Sequence, residues 1–208
     1  MKQLFIVAGP NGSGKSTFIK TVLATYTQNF VLINPDALAR TLFKDEKDDV
    51  VRYQKAFKMA DFLRDEAFEN GKNILIETVN SSTHKDEFYQ KCVQNGYEIT
   101  VYYIATENPE INVERVGERV ITGGHSVPKE KIVDRYYKSL ERIIFMWNLS
   151  KNLYIYDNSQ SELRFCVHAM EKNKFLIRKT PGWVKKYIKF SVLLLNKLVI
   201  FTRTFGSV

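Results

Sequence analysis

The sequence predicts a three-layer α/β fold with a mostly parallel sheet of five strands. Three observations carry that expectation. Short apolar runs alternate with segments of helical periodicity, and Gly, Asn or Pro turn signals separate them. The first run, Leu4-Phe5-Ile6-Val7-Ala8, leads directly into Gly9-Pro10-Asn11-Gly12-Ser13-Gly14-Lys15-Ser16-Thr17. Two later runs end in a carboxylate, at Asp36 and at Glu77, and ligands of open parallel sheets sit beyond the carboxyl ends of the strands.

The glycine-rich stretch fits the phosphate-binding pattern G-x-x-x-x-G-K-[ST] in its required setting, a buried strand before and a helix after. Its glycines let the chain turn through conformations closed to other residues, so that successive N–H groups converge on phosphate oxygens. Lys15 supplies a point charge for the β- and γ-phosphates, and the Ser16 hydroxyl is a ligand for Mg²⁺. The helix expected from Ser16 to about Ala24 adds the positive end of its dipole. The expected ligands are therefore a nucleotide and Mg²⁺.

Val31-Leu32-Ile33 reads as the second strand, its tip Asn34-Pro35-Asp36 placing Asp36 on the face of the phosphate loop. From position alone, Asp36 serves either that site or the N-cap of the following helix. A long helix follows from Asp48 to Asn70, with Val51, Ala56, Ala60, Leu63 and Ala67 on one side and a stop at Asn70-Gly71. Asn73-Ile74-Leu75-Ile76-Glu77-Thr78 is the third strand, and its terminal acid is the type that holds Mg²⁺ or orients a nucleophile beside a phosphate loop. Ser82 or Thr83 caps the next helix, where His84 is a surface residue. Glu98 to Ala105 is the fourth strand.

Beyond Pro109, Arg115 and Arg119 share one helical face. The loop Ile121-Thr122-Gly123-Gly124-His125-Ser126-Val127-Pro128 follows, and then a helix from Lys129 to about Leu149 that carries Arg135. Arginines on both sides of a Gly-Gly loop suit a lid, about residues 119–135, that closes on phosphates and excludes water. They also suit a salt-laced surface helix, which is common, and the lid reading gains only from the phosphate loop beside it. Leu153 to Asn158 is the fifth strand with its turn, and the apolar pieces Leu163–Val167 and Lys174–Arg178 suggest a terminal hairpin.

The 208 residues carry a net charge of +8, yet residues 1–170 balance at 22 basic and 22 acidic side chains. The excess lies in the C-terminal stretch, which holds nine bases and one acid, so no specific nucleic-acid partner is expected. The division expected is a catalytic domain over residues 1–189 and a basic, apolar tail over 190–208. The apolar part of the tail, broken by Asn196-Lys197, is shorter than the roughly 20 residues that span a bilayer. It reads as a segment docked on the core or as a contact with an anionic membrane surface. Two cysteines, Cys92 and Cys166, make no disulfide or metal framework, and no signal peptide precedes the first strand, so a cytoplasmic location is expected.

The order of these motifs resembles the zeta-toxin-like P-loop kinases, most closely their short bacterial branch. The resemblance rests on the phosphate loop, Asn34-Pro35-Asp36, Ile76-Glu77-Thr78, the segment from Arg115 through Arg119 to Gly123-Gly124-His125-x-Val127-Pro128, Arg135-Tyr136, and Tyr156-Asp157-Asn158-Ser159. It implies a nucleoside-kinase-like fold and transfer of the γ-phosphoryl of ATP to a hydroxyl of a small molecule, for which UDP-N-acetylglucosamine is the family's best-known acceptor. It further implies Asp36 as the base, Lys15 and Ser16 on phosphates and Mg²⁺, Glu77 and Thr78 in the acceptor pocket, and Arg119 as a clamp. An antitoxin protein is the implied partner. Where the toxins place a second lid arginine, this chain has His125, with Arg115 or Arg135 as substitutes. An ATPase of the transporter type is disfavoured by the absence of a Leu-Ser-Gly-Gly segment, and a GTPase by the absence of Asp-x-x-Gly and Asn-Lys-x-Asp. A nucleotide-binding ATPase or sensor without kinase activity remains the alternative.

Overall fold

The computed structural model describes residues 1–121, 126–170, 174–178 and 180–187. His125, the Gly-Gly of the expected lid and the tail over 190–208 lie outside the described residues. The strands are β1 Lys2–Ala8, β2 Phe30–Ile33, β3 Asn73–Thr78, β4 Tyr97–Ala105, β5 Asn152–Asp157, β6 Arg164–Met170 and β7 Lys174–Ile177. They form one sheet in the order β2-β3-β1-β4-β5-β6-β7, the first five parallel, β6 antiparallel to β5 and β7 antiparallel to β6. The expected five-stranded sheet thus has seven strands. The terminal hairpin adds to the edge because β6 pairs with β5, whose outer side would otherwise be an open row of N–H and C=O groups.

β1 is the middle of the parallel part and is buried on both faces, which its unbroken apolar run anticipates. Leu4, Ile6 and Ala8 join the larger core with Ile74, Ile76, Val101 and Tyr103. Val7 points to the opposite side, into a second core with Phe18, Ile19, Leu23, Leu75 and Ile104. Burying one such aromatic or aliphatic side chain is worth about 2 kcal/mol.

Helices cover both faces. The helix after the phosphate loop begins as α1, Lys15–Phe18, and continues over Ile19–Leu23 as a π-helix. Next come α2 Pro35–Thr41 and α3 Asp49–Glu69, the latter capped by Asp48, whose Oδ1 accepts from the N–H groups of Val50 and Val51. The buried residues of α3 are alanines at 56, 60 and 67. The remaining helices are α4 Asp86–Gln94, α5 Pro109–Ile121, α6 Lys129–Glu141 and α7 Ile143–Leu149.

Two expected boundaries are corrected. α4 starts at Asp86, and neither Ser82 nor Thr83 caps it through a side chain; the Thr83 carbonyl accepts from the Asp86 N–H instead. The single helix expected over 129–149 is two helices that meet at Arg142 (φ −86°, ψ 0°). The guanidinium of Arg142 is bonded to Asp86 and Asn80, which draws the chain toward the β3–α4 loop and re-aims the apolar residues of α7 into the core.

Candidate active site

The parallel register brings the loops that follow β1, β2 and β3 to one edge of the sheet. Val7 and Ala8 lie beside Glu77 and Thr78, and Ile33 lies beside Ile76. The phosphate loop, Asp36 and Glu77 therefore line one cleft of about 790 Å³. The carboxyl end of β3 and the loop into α4 line it, α3 contributes Tyr53 and Phe57, and Arg115, Arg119, Val127 and Arg135 line it as well.

Two glycines of the phosphate loop are required by their surroundings. Gly9 sits at φ +142°, and a Cβ there would overlap the Ile104 carbonyl of β4. Gly14 sits at φ +94° against the amide of Asn158. The loop is also braced from the β4–β5 side, because Asn112 of α5 donates to the Asn11 carbonyl and Asn158 Nδ2 donates to the Ser13 carbonyl at 2.9 Å. Thr106 donates to Asn112 Oδ1, which fixes the orientation of that amide.

Lys15 is 7% exposed, and its Nζ donates to the Pro10 carbonyl at 2.7 Å. Burial lowers its pKa; Glu77 and Asp36 act in the opposite direction, and Arg119 adds to the lowering. Ser16 Oγ donates to Glu77 Oε1 at 2.8 Å, and Asn34 Nδ2 donates to Glu77 Oε2 at 2.5 Å. A hydroxyl and a carboxylate side by side are the hard oxygen donors that suit Mg²⁺.

The two readings of Asp36 now separate. Asn34 is the N-cap of α2, its Oδ1 accepting from the Ala37 N–H at 3.0 Å, and Pro35 occupies the first helical position. Asp36, relieved of the cap, sits half-buried in the first turn and lines the cleft. Its charge and burial raise the pKa of Tyr53, burial being the larger cause. Thr78 is buried, and its Oγ1 accepts from the Asn80 N–H at 3.1 Å.

The three arginines differ. Arg119 and Arg135 are half-buried on the cleft, Arg119 near enough to Lys15 to affect its ionisation. Arg115 also borders the cleft, but its guanidinium donates to the carbonyls of Asn158 at 2.7 Å and Gln160 at 3.5 Å. His84 is exposed, as expected, yet lines the cleft.

Sequence reasoning did not single out Asn112, Tyr53, Asn80 or Lys85. Asn158 stood in a quoted motif without a role. A polar residue at a buried helical position was the available signal for Asn112, whereas the cleft positions of Tyr53 and Asn80 follow only from packing.

Comparison with known proteins places this arrangement. A chain of the AvrRxo1-ORF1:-ORF2 crystal structure with ATP superposes with a TM-score of 0.70 at 15% identity, covering 92% of this chain; this chain spans 64% of that one. A chain of the PezAT chromosomal toxin-antitoxin system of Streptococcus pneumoniae superposes with a TM-score of 0.56 at 23% identity, covering 78% of this chain and 72% of that one. These likenesses establish a P-loop kinase-like fold. In sequence, an uncharacterized protein of Haemophilus influenzae is 27% identical over 132 residues, 62% of this chain and 88% of its own length. The family model for Zeta toxin matches residues 1–164, from the first strand through the phosphate loop, Asp36, Glu77 and the arginine-bearing helices to the fifth strand, and the chain belongs to that family.

Proposed function

We propose that the protein is an ATP-dependent phosphotransferase that moves the γ-phosphoryl group to a hydroxyl of a small molecule, a nucleotide sugar such as UDP-N-acetylglucosamine. The observation that carries this reading is the unequal setting of two carboxylates beside Lys15. Glu77 has both oxygens engaged, one by Ser16 and one by Asn34. Asp36 lines the same cleft and makes no side-chain hydrogen bond or ion pair among the described residues. A carboxylate with open lone pairs is suited to accept a proton; one tied to the Ser16 hydroxyl is suited to a metal site.

In this reading Asp36 takes the proton of the acceptor hydroxyl as its oxygen bonds to the γ-phosphorus. The bond from that phosphorus to the β–γ bridging oxygen breaks, and ADP leaves. Lys15 and the N–H groups from Gly9 to Thr17 hold the phosphates. Ser16, with Glu77 beside it, would hold Mg²⁺, which neutralises phosphate charge when bound. Arg119 and Arg135 line the same cleft as Asp36 and are assigned to the charge that spreads over the transferred group. Arg115 positions the loop after β5 through its two carbonyl contacts. Positioning and charge stabilisation supply most of the rate.

The proposal extends to an antitoxin partner and a cytoplasmic setting. The family and the toxin-antitoxin system from which one structural neighbour comes support the first. ATP use and two buried free cysteines support the second.

³¹P NMR of the protein with ATP, Mg²⁺ and UDP-N-acetylglucosamine tests the reading. The expected result is a new sugar-phosphate resonance, formed 10²–10⁴-fold more slowly by Asp36→Asn with ATP affinity unchanged. ADP with only inorganic phosphate would favour the ATPase alternative, and equal turnover by the variant would remove Asp36 from the role of base.

A further inference from the structure

The buried residues of α6 are Ile132, Tyr136, Ser139 and Leu140, and two of these four carry hydroxyls. Each hydroxyl ends on a main-chain carbonyl. Tyr136 donates to the Thr106 carbonyl at 2.7 Å, and Ser139 donates to the Val79 carbonyl at 2.7 Å. The one proton of Ser139 goes to a group that can only accept. Tyr103 of β4 is therefore the donor in its 2.8 Å contact with Ser139 Oγ.

The two carbonyls hold equivalent places. Val79 is the first residue beyond β3, and Thr106 is the first beyond β4. These strands flank β1 in the sheet, and the first residue beyond β1 is Gly9 of the phosphate loop. α6 is thus tied to the strand ends on both sides of that loop. Its C-terminal end is tied again, where Arg142 donates to Asn80 and Asp86. A further path reaches the loop itself: the Thr106 hydroxyl donates to Asn112, which donates to the Asn11 carbonyl. Tyr103, Thr106, Asn112 and Ser139 are fully buried, so a group that loses its partner here has little access to water as a substitute.

Arg135 stands next to Tyr136, and its side chain lines the cleft. Among the described residues its guanidinium makes no hydrogen bond or ion pair, so its place is set by the helix that carries it. Resting on the kinase reading above, we propose that Tyr136 and Ser139 are positioning residues for phosphoryl transfer. Their hydroxyls seat α6 across the ends of β3 and β4 and so hold Arg135 at the phosphate loop. Arg135 is then in place before ATP arrives, and no closing motion has to carry it in. A cation fixed in advance costs no reorganisation when charge develops on the transferred group.

Steady-state ADP release by the full-length protein, with and without UDP-N-acetylglucosamine, tests the proposal. Tyr136→Phe and Ser139→Ala are each made alone and in an Arg135→Ala background. Each variant alone should lower kcat by about 10- to 100-fold with little change in KM for ATP. Neither should lower kcat further once residue 135 is alanine, because both act through the guanidinium. A merely structural role would give the same fold loss in both backgrounds, following the fall in thermal midpoint. That result, or an unchanged kcat in both single variants, overturns the proposal. The Arg135 Nε–H signal in ¹⁵N-resolved spectra, with a non-hydrolysable ATP analogue and Mg²⁺ bound, gives a reading independent of turnover. It should shift or broaden in both variants, and an unchanged signal also overturns the proposal. If the wild type transfers phosphoryl to neither the sugar nor water, the kinase reading fails, and the Arg135 signal still decides whether the two hydroxyls place it.

Discussion

Lys15 shows how one side chain couples burial to ligand charge. Its ammonium is held in the phosphate loop by the Pro10 carbonyl, and desolvation lowers its pKa below the usual lysine range. Phosphates favour the charged form, so at alkaline pH the binding of ATP draws a proton onto Lys15. Affinity for ATP should therefore fall as pH rises through the lowered pKa, before an ordinary lysine would titrate. Calorimetry in buffers of different ionisation enthalpy should detect the proton uptake. Lys15→Met should bind ATP at least tenfold more weakly and show no such uptake. A lysine variant with the same pH dependence as the wild type would assign the proton to another group. Asp36 is the counterpart at this scale, because Asn34 caps α2 and leaves the acid to the cleft.

At the scale of elements, the cleft depends on contacts from residues that do not line it, Asp157 and Asn158 among them. Asp157, at the end of β5, is 2% exposed and accepts from Arg164 of β6 at 2.8 Å, Ser159 at 2.5 Å and Trp183 Nε1 at 2.9 Å. It thereby clasps β5, the edge hairpin and the helical segment over 182–187. Asp157→Ala leaves the buried indole N–H of Trp183 without its acceptor and should destabilise the fold by about 2 kcal/mol. Urea unfolding measures this, and a midpoint equal to the wild type's would show that the clasp is not needed. Asn158→Ala, one residue on, frees the Ser13 carbonyl and should weaken ATP binding more than it lowers stability. These contacts also explain what was legible in the sequence. The parallel strands, the phosphate loop and the acids at two strand tips were readable because each is a local pattern with its own chemistry. The two extra strands were seen only as a hairpin, since joining the sheet depends on pairing with β5. The break at Arg142 was hidden because Asp86 and Asn80, which hold it, are more than 50 residues away. For the same reason Asn80 gave no signal: its amide is placed by the distant Arg142, not by a motif.

Across the whole molecule, charge and architecture divide the chain unevenly. The first six strands of the sheet, helices α1 to α7 and the cleft fall within residues 1–170, where basic and acidic side chains balance. The surplus of basic residues begins at residue 171, and no helix among the described residues is long and apolar enough to cross a membrane. The reaction proposed above needs no such surplus, because Lys15, Arg119 and Arg135 already line the cleft. We therefore propose that residues 171–208 serve attachment to an anionic surface. The seven bases of 171–189 supply most of the charge and residues 190–208 the apolar part with Lys197 and Arg203, each nearby Lys or Arg contributing about 1 kcal/mol at low salt. The full chain should sediment with vesicles of anionic lipid, less so as salt rises, and not with neutral vesicles. Deleting residues 190–208, which removes the apolar part and two of the nine bases, should weaken sedimentation while ATP affinity and thermal midpoint stay unchanged. A truncated protein that is insoluble or markedly less stable would instead make the tail a part of the core, covering apolar surface that the rest of the chain leaves open.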